Sequence, residues 1–306
     1  MSSTFVIEQS LAAVQFGITL FLMASGLTLT FGVMGLTNLS HGSVFMVGAY
    51  AAAAVTIGSG SFLLGCLAGI TTAGLVGLAI EILVLRRLYG RDHLYQVLAT
   101  FGLILVLNDG TSMIFGRQPL MFKLPALLSG SLEIAPGLFY PTYRLMIVGV
   151  GLLVSAILYG LITHSRLGMI IRAGSTHRAM IGAFGVNIKL LFTLVFALGS
   201  MFAGLAGALS GPISGVQIGM GDNIIVVTFV VVIIGGIGSI RGALIGSLLV
   251  ALFDTLGRVA LPKILNALVD PLSASTVGAA LSSMSVYLLM ALVLMLRPRG
   301  LFPARE

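Results

Sequence analysis

Charge is what this chain has least of. Only 8% of its 306 residues are Asp, Glu, Lys or Arg, against about 25% in an ordinary soluble domain, and that excludes a water-soluble enzyme or binding module. Cysteine is nearly missing as well. Cys66 stands alone in an apolar run, so an internal disulfide is excluded. The first 85 residues hold no Lys or Arg. A cleaved secretory leader needs a basic start, so the first apolar segment is expected to remain as a span. No lysine follows the GxxxxG of a phosphate-cradling loop, so the chain has no evident means of hydrolysing ATP. There is no catalytic triad, metal cluster or dinucleotide fingerprint, and His41 lacks a partner at ligand spacing, so no metal is expected.

What remains is apolar. Hydrophobic residues make up 58% of the chain, and mean hydropathy is +1.14. Runs of roughly twenty apolar residues recur along the whole length, which predicts an all-α, polytopic helical membrane protein. Continuous rather than alternating runs disfavour a β-barrel. The apolar segments fall near 11–31, 36–57, 62–85, 95–116, 144–163, 190–214, 224–239, 241–257 and 281–296, giving about 8–9 transmembrane or half-spanning helices in a single domain over 1–306. The 224–239 piece is short for a crossing and reads as a half-helix that turns back near Gly235-Gly236-Ile237-Gly238.

Orientation follows from the basic residues. With Arg86, Arg87 and Arg91 inside, alternation places Arg166, Arg172, Arg178, Lys189, Arg241, Arg297, Arg299 and Arg305 inside too, eleven in all, against five outside: Arg117, Lys123, Arg144, Arg258 and Lys263. The N-terminus is then external and the C-terminus cytoplasmic, although parity of the N-terminal half depends on whether 224–239 crosses. Residues of about 117–143 carry four prolines and read as an ordered external cap with a short strand near Leu132–Ile134. The segment of about 258–280 reads as a second external loop.

The basic loop of about 164–189 interrupts the apolar pattern and contains no acid. Ser175 or Thr176 could cap a helix and Gly185 could end it, with Met180, Ala183 and Phe184 on one face. So short a helix is marginal alone and needs a partner. The residues leave two readings open, a membrane-surface anchor or a docking element.

Three further features also leave alternatives. Thr37-Asn38-Leu39-Ser40-His41-Gly42 is a polar cluster opening an apolar segment. It reads either as a helix cap or as part of a translocation pathway, with Asn38, Ser40 and His41 as the pathway candidates. Gly199, Ala203, Gly207 and Gly211, and Gly238, Gly242 and Gly246, recur every four residues, for close helix packing or for a sliding surface. Glu81, Asp109, Asp222 and Asp254 read as structurally paired or as a proton or ion relay; Asp254 could pair with Arg258 at i+4.

Four motifs, in one order, resemble permease subunits of branched-chain amino acid ABC transporters, the LivH-type family. They are Gly26-Leu27-Thr28-Leu29-Thr30-Phe31-Gly32 through Gly42 with Gly48-Ala49-Tyr50; Arg172-Ala173 with Ala179 and Gly185-Val186-Asn187; Gly235-Gly236-Ile237-Gly238-Ser239-Ile240-Arg241-Gly242; and Arg297-Pro298-Arg299-Gly300-Leu301-Phe302. The resemblance implies an ABC importer permease fold in the bacterial inner membrane. It implies a second related permease, as a heterodimer, two cytoplasmic ATPase subunits that carry ATP and Mg, a periplasmic solute-binding protein, and no nucleic acid; this chain itself would carry no cofactor. It also implies that Arg172, Ala173, His177, Arg178, Ala179, Met180, Gly182, Phe184, Gly185 and Asn187 couple to the ATPase. Branched-chain or related amino acids are the expected solutes. Urea, short amides or other small organic solutes are the alternative within the family, and a stand-alone ion-coupled transporter is the alternative outside it.

Overall fold

A computed structural model describes residues 3–176, 182–266 and 270–303. It is a helical bundle. Helices α1 (Ser3–Met34), α2 (His41–Ser59) and α3 (Phe62–Leu83) are followed by a 3₁₀ turn at Leu85–Leu88 and by α4 (His93–Phe115). A small antiparallel hairpin, β1 (Ser131–Ala135) and β2 (Leu138–Pro141), leads to α5 (Thr142–His164) and α6 (Arg166–Thr176). Helices α7 (Ile188–Ser214), α8 (Met220–Gly235), α9 (Ile240–Leu265) and α10 (Pro271–Leu296) complete the chain. Eight of these helices are long and apolar enough to cross a membrane, and α8 is shorter, so this is a multi-pass membrane protein.

Local chemistry sets the helix ends. Ser61, Asn187, Ser239 and Asp270 each accept a bond from the backbone N–H three residues on, as N-caps do. The bond from the Ser273 N–H also holds the Asp270 carboxyl below its ordinary pKa. Some hydroxyls hidden within the helices are satisfied by their own helix: Thr30, Thr100 and Thr228 donate to carbonyls three or four residues back.

Contacts sort the helix ends into two groups. At one end Gly32 meets Gly238, Arg86 bonds Thr193, Arg241 bonds the Tyr159 hydroxyl at 2.9 Å, and the N–H groups of Leu301 and Phe302 cap the Ile234 and Gly235 carbonyls of α8. At the other end Lys263 lies over the Phe5 ring, Leu120 bridges to Val216, and the Tyr143 hydroxyl bonds the Leu209 carbonyl at 2.7 Å. The first group includes Arg86 and Arg241, two of the arginines that charge counting put on one side.

Three expectations change. Helix α8 does not turn back to the side it entered from. It starts inside the bundle beside the first turn of α2 and finishes at the basic end; its 16 residues reach about 24 Å, less than a full span. The segment 258–280 is not an external loop, because α9 runs on to Leu265 and α10 begins at Pro271. Pro262 is accommodated in the last turn of α9, and its carbonyl still accepts from Asn266. Finally, Ser175 and Thr176 are the last residues of an unexpected helix, α6, whose first turn is fixed by the Gly168 N–H donating to Ser165 Oγ at 3.0 Å, and the helix expected to follow them falls mostly outside the described residues.

The glycine rows pack inside the chain. A Cβ on Gly199 would lie 2.9 Å from the Gly26 carbonyl oxygen of α1, and one on Gly207 would overlap the Phe45 carbonyl of α2. Ala203 is fully buried between them, and Gly211 faces Phe122 and Val216. Gly242 and Gly246 lie against Gly235 and Val231 of α8. Without side chains the backbones come close enough for dispersion and Cα–H···O contacts to hold helices together where lipid offers no hydrophobic drive.

Candidate functional site

At the basic end lies the segment joining α5 to α7, whose α6 packs through buried Ile171 and Gly174 and whose described residues are otherwise largely exposed. Ala173, Gly182, Phe184, Gly185 and Asn187 are exposed, Phe184 at 79%. Gly185 has a φ of +82°, a conformation that glycine tolerates and L side chains resist. Asn187 Oδ1 accepts from the Leu190 N–H at 3.1 Å and so starts α7. The Arg172 guanidinium donates to the Ile162 carbonyl and folds back on α5. His177, Arg178, Ala179 and Met180 lie outside the described residues.

A buried carboxylate ties this segment to the bundle. Glu81, fully buried near the end of α3, accepts two bonds from Arg86, at 3.2 and 2.9 Å. It also accepts from the Tyr89 hydroxyl at 2.6 Å and from Thr193 Oγ1 in α7 at 2.8 Å. Burial, together with the bond to Glu81, holds the Tyr89 phenol above its ordinary pKa, so it stays a donor. Thr193 is one turn and a half beyond Asn187, and the clasp therefore locks the start of α7 to α3.

Deeper in the bundle, Asn38, Ser40 and His41 are completely buried. Asn38 Oδ1 accepts from the Ser40 N–H at 3.1 Å and from Ser40 Oγ at 2.6 Å, which shapes the turn into α2 without capping the helix by a side chain. The Met23 carbonyl lies beside the His41 ring, but neither ring nitrogen reaches hydrogen-bond geometry, and Ser43 Oγ and the Tyr50 hydroxyl are likewise unpartnered among the described residues. Helix α8 also starts without a side-chain cap, at Gly219, and its Gly221 abuts the Gly42 carbonyl. Two helices thus begin within the bundle, backbone against backbone.

Beside the start of α8, at the end away from the arginine cluster, is a cavity of about 380 Å³ walled by α1, α2, α7, α8 and α9. Its polar lining is Gln15, Thr19, Ser210, Ser214, Gln217 and Asn223; its apolar lining is Phe16, Phe45, Ile213, Met220, Ile224 and Val227. One cation, Arg258, completes the wall, with its Nε bonded to Asp254 Oδ2 at 2.9 Å. A second cavity across the 215–219 loop is lined by Asp109, Arg117 and, again, Gln217. Sequence reading passed over the first cavity. Its residues come from five helices and are ordinary one by one; the only local signal was Gln15 and Thr19, two polar residues four apart in a span.

The charges within or beside spans are mostly accounted for. Glu81 pairs with Arg86 and Asp254 with Arg258, and Asp222 accepts from the Asn108 amide at 3.2 Å. Asp109 is exposed on α4.

Comparison with known proteins fits this architecture. A family model described as branched-chain amino acid transport system / permease component matches residues 10–296. The chain is 28% identical over 314 residues to the high-affinity branched-chain amino acid transport system permease protein BraD of Pseudomonas aeruginosa, covering 98% of this chain and 96% of that one. It is 30% identical to the LivH permease protein of the corresponding system in Salmonella typhimurium and 29% identical to that of Escherichia coli, in each case over 84% of this chain and 88% of the relative. No solved structure gives a significant match. With the match running over nearly its whole length, the chain belongs to the family of permease components of branched-chain amino acid transport systems.

Proposed function

We propose that this chain is a transmembrane permease subunit of an ATP-driven importer that moves branched-chain or related amino acids across a bacterial inner membrane. The observation that carries the reading is the exposed segment between α5 and α7, presented at the arginine-rich end and clamped into the bundle through Glu81 and Thr193. Phe184 and its exposed neighbours leave an apolar side chain open to a partner. Since the chain has no phosphate-binding loop of its own, the partner is a cytoplasmic ATPase that binds ATP and Mg²⁺, in two copies, one beneath each permease. The second permease is a related chain, and a periplasmic binding protein delivers solute at the opposite end. The arginine-rich end and the C-terminus are cytoplasmic. The seam between the starts of α2 and α8, with Asn38, Ser40 and His41 sealed inside it, is the gate. Its unpartnered polar atoms each cost about 1–3 kcal/mol while buried, a cost relieved when the seam opens to water. Pairing of Glu81 and Asp254 with arginines removes two of the acids that an ion-coupled carrier would have used.

Tagged protein extracted in mild detergent is expected to bring down two P-loop ATPases and a second permease, identified by mass spectrometry. A lone chain, active in liposomes without ATP, would overturn the reading. Within the importer, Gly185→Val should leave the subunit in the membrane but cut solute-stimulated ATP hydrolysis by about tenfold or more, because the side chain strains a positive φ by about 1–3 kcal/mol and shifts the exposed turn. Normal stimulation in that variant would remove Gly185 from the coupling element.

A further inference from the structure

The outer cavity has a composition that selects a ligand. Most of its wall surface is apolar, with Phe16, Phe45, Ile224 and Val227. The rest consists of neutral amides and hydroxyls around a single cation, Arg258. Asp254 holds that guanidinium by its Nε at 2.9 Å, and among the described residues no other carboxylate pairs with it. Its terminal Nη groups therefore remain as a fork, the geometry that receives a carboxylate. The side-chain amides of Gln217 and Asn223 make no hydrogen bond among the described residues; their oxygens can accept from an ammonium and their nitrogens can donate. At about 380 Å³ the volume suits one small molecule.

From this arrangement we infer that the cavity walled by α1, α2, α7, α8 and α9 is a solute-binding site within this single chain, and that it takes a small zwitterion bearing an apolar side chain. Arg258 receives the carboxylate, Asn223 and Gln217 receive the ammonium, and the Phe16–Phe45–Val227 wall receives the side chain. The site sits directly above the α2–α8 seam, because Met220, Asn223, Ile224 and Val227 are the first two turns of α8. A solute bound there contacts the helix whose start must move for the seam to open. The inference rests on the importer reading for its solute class, and it assigns recognition to the permease in addition to any delivery protein.

The test uses the assembled permease–ATPase complex in proteoliposomes without binding protein, with a diazirine analogue of leucine as photoprobe. Label is expected on peptides that contain Phe16, Phe45 or residues 220–227. Excess leucine should suppress it, and leucinamide, which lacks the carboxylate, should be at least about tenfold less effective, the range of a hydrogen bond to a charged group. Arg258→Gln should abolish the difference between the two competitors. Val227→Phe, which keeps the cation and fills the cavity, should reduce labelling about fivefold or more and covers the case in which Arg258→Gln fails to assemble. Label on other helices, undiminished labelling in Val227→Phe, suppression by lipid but not by leucine, or an unchanged preference in Arg258→Gln would each overturn the site. Leucine uptake with binding protein present is measured on the same vesicles. Uptake without labelling of the cavity would overturn the site and keep the importer; Arg258-dependent labelling in vesicles that accumulate nothing would keep the site and overturn the importer.

Discussion

Replacing Glu81 with alanine is expected to cost the folded chain about 1–3 kcal/mol, the range for leaving a buried hydrogen-bonding group without its partner. The carboxylate is fully buried and accepts from Arg86, Tyr89 and Thr193. Its loss takes the acceptor from the Tyr89 phenol and leaves the Arg86 guanidinium with the Thr193 hydroxyl, which still donates to the Lys189 carbonyl. Two things should follow in the purified complex. Thermal stability in detergent should fall sharply, and whatever folds should hydrolyse ATP with weakened dependence on solute, since the start of α7 is no longer locked to α3. Glu81→Gln keeps the shape and some of the bonds and should fall between wild type and alanine. Glu81→Met with Arg86→Met removes both charges, and should be more stable than Glu81→Ala because no unpaired charge is left. Equal melting of Glu81→Ala and wild type, by size-exclusion survival after heating, would show that the clasp contributes nothing.

Gly207→Val should be among the most damaging of the glycine substitutions. A Cβ there would overlap the Phe45 carbonyl of α2 and crowd the Ala49 N–H, which are backbone atoms of a packed helix and cannot turn aside. Overpacking of ordinary cores costs about 1–3 kcal/mol, and a clash with backbone belongs at or above the top of that range. The substitution should drive α2 from α7, disturb the deep start of α2 and lower the yield of folded protein. Gly207→Ala should do the same in smaller measure. Gly102→Ala in α4 and Gly149→Ala in α5 are the controls: no heavy atom lies within 4 Å of the added Cβ at either position, so alanine should be neutral or stabilising by up to about 1 kcal/mol through better helix propensity. Fluorescence-detected size-exclusion profiles of the four variants separate these outcomes; equal profiles for Gly207→Val and Gly149→Ala would dismiss the close α2–α7 crossing.

Several features were legible one segment at a time. Runs of about twenty apolar residues locate helices because a span must satisfy its backbone internally. The strand near Leu132–Ile134 lies within β1. Asp254 and Arg258, four apart, pair as helix geometry requires. At 224–239 the short helix expected is present, 16 residues long, but it ends at the basic end of the bundle and does not turn back. Polarity misled at 258–280, where a tolerated Pro262 and an Asp270 cap were read as loop.

By itself, the sequence determined the membrane class, the helix count, the grouping of basic ends and the family, because those depend on composition and on periodicities within a single stretch of chain. Only the tertiary structure decided which helices the glycine rows join, that Thr193 and Tyr89 share Glu81 with Arg86, and that Gln15, Phe45, Asn223 and Arg258 face one cavity. These depend on distances between residues that are tens to hundreds of positions apart, and helices in lipid choose neighbours by shape and by a few buried polar bonds, for which an apolar run carries no local mark.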